Sequence, residues 1–361
     1  MDLPRVIAHY ARADAIHLCD IDTNAIPDPV NLAMRNYAIE LGFPALNNAI
    51  ARHASIMSGR RYGADANTST ISTGWGLISA VNSVIDDRKE VVVVFPTSQA
   101  HIRAILHAGG IPVSVPLIFR PGMAWWLDME GLEAAVTDKT SALLLQSPSI
   151  PTGAYITASC WAAIARMCVR KNVVLIYDSL FDAVRFDGRP HVHPAAFMGM
   201  DERTLTVGCG SGLYGMNVLQ FDWVVGPPGP IARVAAISNM AGRPPADLLA
   251  SEAISYRLAS SMEIAVQGRQ FAVRALSGLP FGYPAGGWSM VVDVGALGFS
   301  SLEAARQLGQ QGVCVTPIPI PPGVEGLKAR HYIQIVFWTL EEWYVLSVRV
   351  RAALRTNILA N

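Results

Sequence analysis

Lysine is scarce in this chain: four among 361 residues, at Lys89, Lys139, Lys171 and Lys328. Charge of either sign is thin. Acidic and basic residues together make up 16% of the chain, and 28 basic residues balance 28 acidic ones. Nothing in a neutral, charge-poor chain argues for nucleic-acid binding or for attachment to an anionic membrane, so neither partner is expected. No apolar run approaches the roughly 20 residues needed to cross a bilayer; "EVVVVFP" has the length of a buried strand. The five cysteines (Cys19, Cys160, Cys168, Cys209, Cys314) are scattered, without the CxxC or Cys/His spacing of a metal site. His191 and His193 are spaced like metal ligands, but the neighbouring prolines suggest a surface loop and no third ligand completes the set. The first residues, MDLPRVIAHYARADA, lack a basic start followed by an apolar core. A reduced, cytoplasmic protein is the expectation.

What is abundant is apolar: 51% of the residues, with a mean hydropathy of +0.31. That surplus needs burial, and an interface between copies of the chain is the simplest place for it. The length suggests two domains, or one large α/β domain with an appendage. Six short apolar runs recur between helical patterns: 90–95, 111–117, 141–146, 172–178, 204–209 and 222–226. Most lack polar alternation, as strands covered on both faces do. "SQAHIRAILHAGG" places Ile102, Ile105 and Leu106 on one helical stripe; "TASCWAAIARMCVRKN" does the same for Trp161, Ile164, Ala165 and Cys168 and ends on basic residues. Strand–helix–strand repetition predicts an α/β fold with a mainly parallel, doubly wound sheet. A long helical stretch follows from Pro245 to Leu276, and the tail reads as a smaller α+β unit. The expected partition is a large domain over 51–276, a small C-terminal domain over 277–361, and residues 1–50 packing with the small one.

Seven segments carry a resemblance, in this order: "GFPALNNAIARH" (42–53), "ISTGWGLISAV" (71–81), "VVVVFPTSQAHIRAILHAGGIPVSVPL" (91–117), "SPSIPTGAYIT" (147–157), "LIYDSLFDAVRFDG" (175–188), "VGCGSGLYGMNVLQFDWVVG" (207–226) and "HYIQIVF" (331–337). Together they resemble the class I/II, fold-type I aminotransferases, which depend on pyridoxal phosphate. The resemblance covers most of the chain. It implies the fold-type I architecture and a homodimer with sites at the subunit interface.

Carried over position by position, the resemblance also implies departures. The lysine that holds the coenzyme's aldehyde and shuttles protons falls on Gly212. The phosphate-binding arginine falls on Gln220, the first serine of Ser-x-Ser-Lys on Cys209, with Ser211 beside it, and the asparagine before Pro-Thr-Gly on Ile150. The tyrosine of Asp-x-x-Tyr falls on Phe181, the ring-stacking aromatic on Ser98, and the carboxylate-binding arginine on Gln334. Asp178, which pairs with the pyridinium nitrogen in the family, is present. So is the helix start Gly74-Trp75-Gly76, whose backbone N–H groups suit an anion; the bulk of Trp75 could fill the phosphate's space or wall a new pocket.

On that reading the chain is expected to hold no cofactor, pyridoxal phosphate included. It would perform acid–base chemistry (a cyclisation, isomerisation or elimination) on a small, largely apolar substrate, possibly in natural-product biosynthesis. Asp178 is the leading acid or base, set against a strand-end cap. His101 and Tyr214 are further candidates, set against local hydrogen bonding and packing. A non-catalytic scaffold, and an enzyme binding pyridoxal or pyridoxamine phosphate non-covalently, are the alternatives.

Overall fold

The computed structural model describes residues 16–17, 43–72, 74–209, 221–241, 251–320, 330–337 and 343–354. The chain first forms β1 (Ile16–His17), α1 (Phe43–Ser58), β2 (Thr68–Ser72), α2 (Gly76–Val84), β3 (Glu90–Phe95), α3 (Gln99–His107) and β4 (Ile111–Pro116). Then come α4 (Met129–Ala135), β5 (Thr140–Gln146), α5 (Ala158–Lys171), β6 (Val174–Asp178), β7 (Thr204–Cys209), β8 (Phe221–Val225), α6 (Pro228–Ala241) and α7 (Ser251–Ala275). The remainder is β9 (Ser289–Asp293), α8 (Ser301–Gln310), β10 (Val313–Cys314), β11 (Thr316–Ile318), β12 (Tyr332–Val336) and α9 (Trp343–Leu354).

Seven strands make the main sheet, in the order β2-β8-β7-β6-β5-β3-β4. The five strands from β7 to β4 run parallel. β8 and β2 run antiparallel at one side. All six apolar runs are strands of this sheet. The unanticipated member is β2, whose sequence Thr-Ser-Thr-Ile-Ser carries little hydrophobic signal and which lies at the edge. β4 is the opposite edge and is half-exposed along most of its length, so it is not covered on both faces as the central strands are.

Strand alternation divides the interior. Leu175 and Tyr177 of β6 join a core with Trp161, Ile164 and Cys168 of α5. Ile176 faces the other way, into a core with Val91, Val93, Leu144 and Ala80. The buried stripe of α5 is the expected one, and the helix ends where Asn172 turns left-handed at φ 50°. The stripe of α3 is shifted: His101, Ala104 and Ile105 are buried, whereas Leu106 is exposed. A histidine takes the place expected for an aliphatic residue because it has hydrogen-bond partners inside.

A second, antiparallel sheet, β11-β12-β9, carries the tail, with α8 packed on α9 beside it. β1 pairs in parallel with β10. The long helix α7 runs past the end of β12, and Gly268 is what lets it approach: a Cβ there would collide with the Phe337 carbonyl. Gly268→Ala gains about 1 kcal/mol of helix propensity but forces a packed backbone apart at about 1–3 kcal/mol. We expect the collision to win, as a lower urea midpoint with an unchanged m-value; a rise in midpoint would refute the close approach.

Candidate functional site

Parallel strands end together, and their C-terminal ends are where doubly wound sheets bind ligands. Here Gln146 ends β5, Asp178 ends β6 and Cys209 ends β7. Gln146 lies in register with Asp178. Because β8 is antiparallel, its second residue, Asp222, lies at this same edge, in register with Cys209.

Asp178 is buried, with 6% exposure, and three donors meet its carboxylate. His101 Nε2 lies 2.8 Å from Oδ2. Gln146 Nε2 donates to the same oxygen at 2.9 Å, and the Leu180 amide donates to Oδ1 at 3.0 Å. Each donor is itself fixed. The Ile150 amide donates to Gln146 Oε1 at 2.7 Å, which turns the Gln146 NH2 toward Asp178. The Thr97 hydroxyl lies 3.0 Å from His101 Nδ1; as donor there it leaves the ring proton on Nε2, facing the carboxylate. His101 is 2% exposed, so the structure joins it to Asp178 and gives it no ligand-stacking face.

The phosphate-type loop is also occupied from within. The amides of Gly74 and Gly76 donate to Asp222 Oδ2 at 2.8 and 2.9 Å. Trp75 does not fill this space; its ring stands edge-on to His107, with centroids 5.5 Å apart. Ser98 is the N-cap of α3, accepting from the Ala100 amide. Phe181 is core, edge-on to Trp288. Ile150 is half-buried beside the Asp178 network, and Gln334 sits in the small sheet between Thr316 and Val291. Ser211, Gly212, Tyr214 and Gln220 lie outside the described residues, as does Lys328. The other three lysines stand at the far edge of the sheet. Lys89 and Lys139 immediately precede β3 and β5, and Lys171 donates to the carbonyls of Glu133 and Val136.

A second layer lies behind β6. His191 and His193 are not on a surface loop: their neighbourhood folds inward, where His191 stacks on Tyr177 and its Nε2 lies 3.1 Å from that hydroxyl. His193 accepts from the Ala195 amide and its Nε2 lies 3.3 Å from Thr206 Oγ1. Among the described residues no group of three metal-type side chains forms. Burial pushes His191 down to about 4, aided by the Arg185 charge, and His193 down to about 3. Burial pushes Asp182 up to about 7, and the nearby Asp178 adds to it. Asp222 is pushed up to about 6, again by burial, against the pull of the Gly76 and Gly74 amides and the Cys209 thiol. Gln146, Thr97 and Asp222 are the site residues that sequence reasoning missed. The signals were a polar residue closing an apolar strand, and a lone acid between Phe221 and Trp223.

The model of the family "aminotransferase class I and II" matches residues 33–326. A probable N-succinyldiaminopimelate aminotransferase of Mycobacterium tuberculosis is 31% identical over 229 residues, covering 61% of this chain and 56% of that protein. The chain thus aligns with little more than half the length of that relative. An arginine–pyruvate transaminase of Pseudomonas aeruginosa is 30% identical over 290 residues, covering 78% and 73%. The solved N-succinyldiaminopimelate aminotransferase of M. tuberculosis superposes with a TM-score of 0.79 at 25% identity, over 98% of this chain and 96% of that one. The fold is that of the fold-type I aminotransferases. These matches overturn two expectations, the cofactor-free acid–base enzyme and the absence of pyridoxal phosphate: the matched family uses that coenzyme, and both relatives are named for amino-group transfer.

The buried acids carry a testable cost. An Asp182 pKa raised from 3.8 to about 7 means that the native state keeps a proton the unfolded chain has lost. This stability is present at low pH and declines as pH rises from about 4 to 7. The depressed histidines have the opposite sign: their share is lost as pH falls from about 6.5 toward their native values. Asp182→Asn is therefore expected to be the more stable protein at pH 8, by on the order of 4 kcal/mol, with the advantage gone at pH 4. Urea unfolding at both pH values measures it; an equal difference at the two would refute the assignment.

Proposed function

The chain belongs to the class I and II aminotransferase family, and from that premise we propose that its cleft serves amino-group transfer on a small molecule, with pyridoxal phosphate as coenzyme. The observation that carries this reading is the buried Asp178 carboxylate at the end of β6, steadied by His101, Gln146 and the Leu180 amide. A carboxylate accepts about four hydrogen bonds; three are placed, which leaves room for a ring N–H. The ring-nitrogen end of the coenzyme thus fits the residues present. At the phosphate end the Gly74 and Gly76 amides fit an anion but are already bonded to Asp222.

When bound, pyridoxal phosphate supplies an electron sink for charge developing beside the amino carbon. Asp178 is the residue that would face the ring nitrogen and would hold the proton that such a sink requires there. His101 and Gln146 keep the carboxylate from turning, since each is pinned on its other side by Thr97 and by the Ile150 amide. Burial under 10% exposure keeps water from competing for the acid. The apolar surplus of the chain supports pairing of two copies, as the resemblance implies.

Titration with pyridoxal phosphate, followed by visible absorbance, tests the reading. We expect a saturable new band that changes again when an amino donor is added, together with formation of the matching oxo product. A featureless titration and no product with any donor–acceptor pair would overturn it. Asp178→Asn removes a charge-assisted bond, so coenzyme affinity is expected to fall roughly 10- to 100-fold with the fold retained. An unchanged affinity would remove Asp178 from the coenzyme site.

A further inference from the structure

Of the two amides that meet Asp222, that of Gly76 is the first of α2 and that of Gly74 lies two residues before it, just ahead of the N-cap Trp75. At such a helix start backbone N–H groups gather partial positive charge and stabilise an anion. The anion here is the protein's own, brought from β8, 146 and 148 residues along the chain. The seat is shaped for it. A Cβ at Gly76 would lie 2.8 Å from Asp222 Cβ and 3.0 Å from Oδ2, so a side chain there would push the carboxylate away. Gly74 has φ +87°, a conformation that glycine adopts without strain.

The surroundings of Asp222 are otherwise apolar. β2 sets Ile71 opposite it, and neither β2 nor α2 carries a charged residue. β7 contributes the Cys209 thiol, which hydrogen-bonds to it, and β6 contributes Asp178, whose charge opposes its ionisation. The carboxylate is 7% exposed, and its shift to about 6 places its proton exchange within reach of ordinary conditions. A phosphate arriving at the same amides would stand within about 4 Å of this group, where two like charges repel strongly at low dielectric.

We propose that Asp222 is a built-in anion that closes the amide seat at the start of α2, and that a phosphate-bearing ligand takes this end of the cleft only by exchange with it. For the identity of that ligand, the coenzyme's phosphate, the proposal rests on the function proposed above. The exchange itself concerns any phosphate. Its direction follows from charge: above about pH 6 the ionised Asp222 holds the amides and repels phosphate, and on protonation both effects weaken. Asp222 then acts as a positioning and selectivity residue that makes phosphate binding proton-linked, and it makes none of the reacting contacts.

Asp222→Asn keeps an oxygen acceptor for the two amides and removes the charge; Asp222→Ser, which is shorter, serves as a second variant. Affinity is measured calorimetrically for inorganic phosphate, pyridoxal phosphate and pyridoxal between pH 5 and 8, with circular dichroism confirming the fold of each protein. At pH 8 the Asn variant is expected to bind both phosphate probes roughly tenfold or more tightly than the parent, that is by about 1.4 kcal/mol or more. The ratio falls toward one at pH 5, and pyridoxal shows no ratio at any pH. Ionisation of the phosphate itself affects parent and variant alike and cancels. Equal phosphate affinities of parent and folded variants at pH 8, or no phosphate binding by any of them, would overturn the exchange. Pyridoxal phosphate binding equally to all proteins leaves the coenzyme reading standing and removes the exchange. The predicted ratio with inorganic phosphate, but no coenzyme binding to any protein, does the reverse.

Discussion

Asp178 can be buried only because donors reach it from three directions, and the placement of those donors orders the rest of the cleft. An acid with 6% exposure and no partner would be held neutral or expelled toward solvent. Gln146 supplies one bond because β5 ends level with β6. His101 supplies another because α3 starts four residues beyond the end of β3 and turns its third residue inward. The Leu180 amide closes the third side through the turn that follows the strand. Each depends on the register of the parallel sheet. A shift of one residue in β5 or β6 would send Gln146 or Asp178 to the opposite face.

The same pleat separates two chemistries. Asp178 faces the network of His101 and Gln146. Tyr177, one residue earlier, faces the layer of Trp161, His191 and His193. That layer holds histidines whose pKa values burial has lowered, and Asp182 beside it is an acid whose pKa burial has raised. All three favour their neutral forms, because burial outweighs an attraction across the 4.0 Å between His191 Nε2 and Asp182 Oδ2. Opposite signs of linkage within one layer flatten the dependence of stability on pH below neutrality.

Several departures from the family's motif letters turn out to be matters of packing. Ser98, where the resemblance puts a ring-stacking aromatic, caps α3, and Phe181 belongs to the core. Departures at such positions report how the side chains pack, and they do not by themselves remove a coenzyme from a family that uses one. The more telling departure was invisible to motif reading. Asp222 supplies to the Gly74 and Gly76 amides the negative charge that a bound phosphate would otherwise bring, and the glycine loop and the acid stand 146 residues apart in the chain.

Much was decided locally and could be read from the chain. The central apolar runs became strands of one sheet because stretches of Val, Ile and Leu have no stable place except between two covering layers. The stripe of α5 is a matter of period, and Asp178 could be singled out because an acid ending an apolar strand needs a reason. Local sequence did not decide that Gln146 and His101 would meet that acid, that His191 and His193 would turn inward, or that Asp222 would occupy a helix start formed by distant residues. Those outcomes depend on strand order, on the antiparallel entry of β8 and on which groups lose water together. Hydrogen bonds between residues far apart in the chain exist only once the sheet has brought their donors and acceptors within 3 Å.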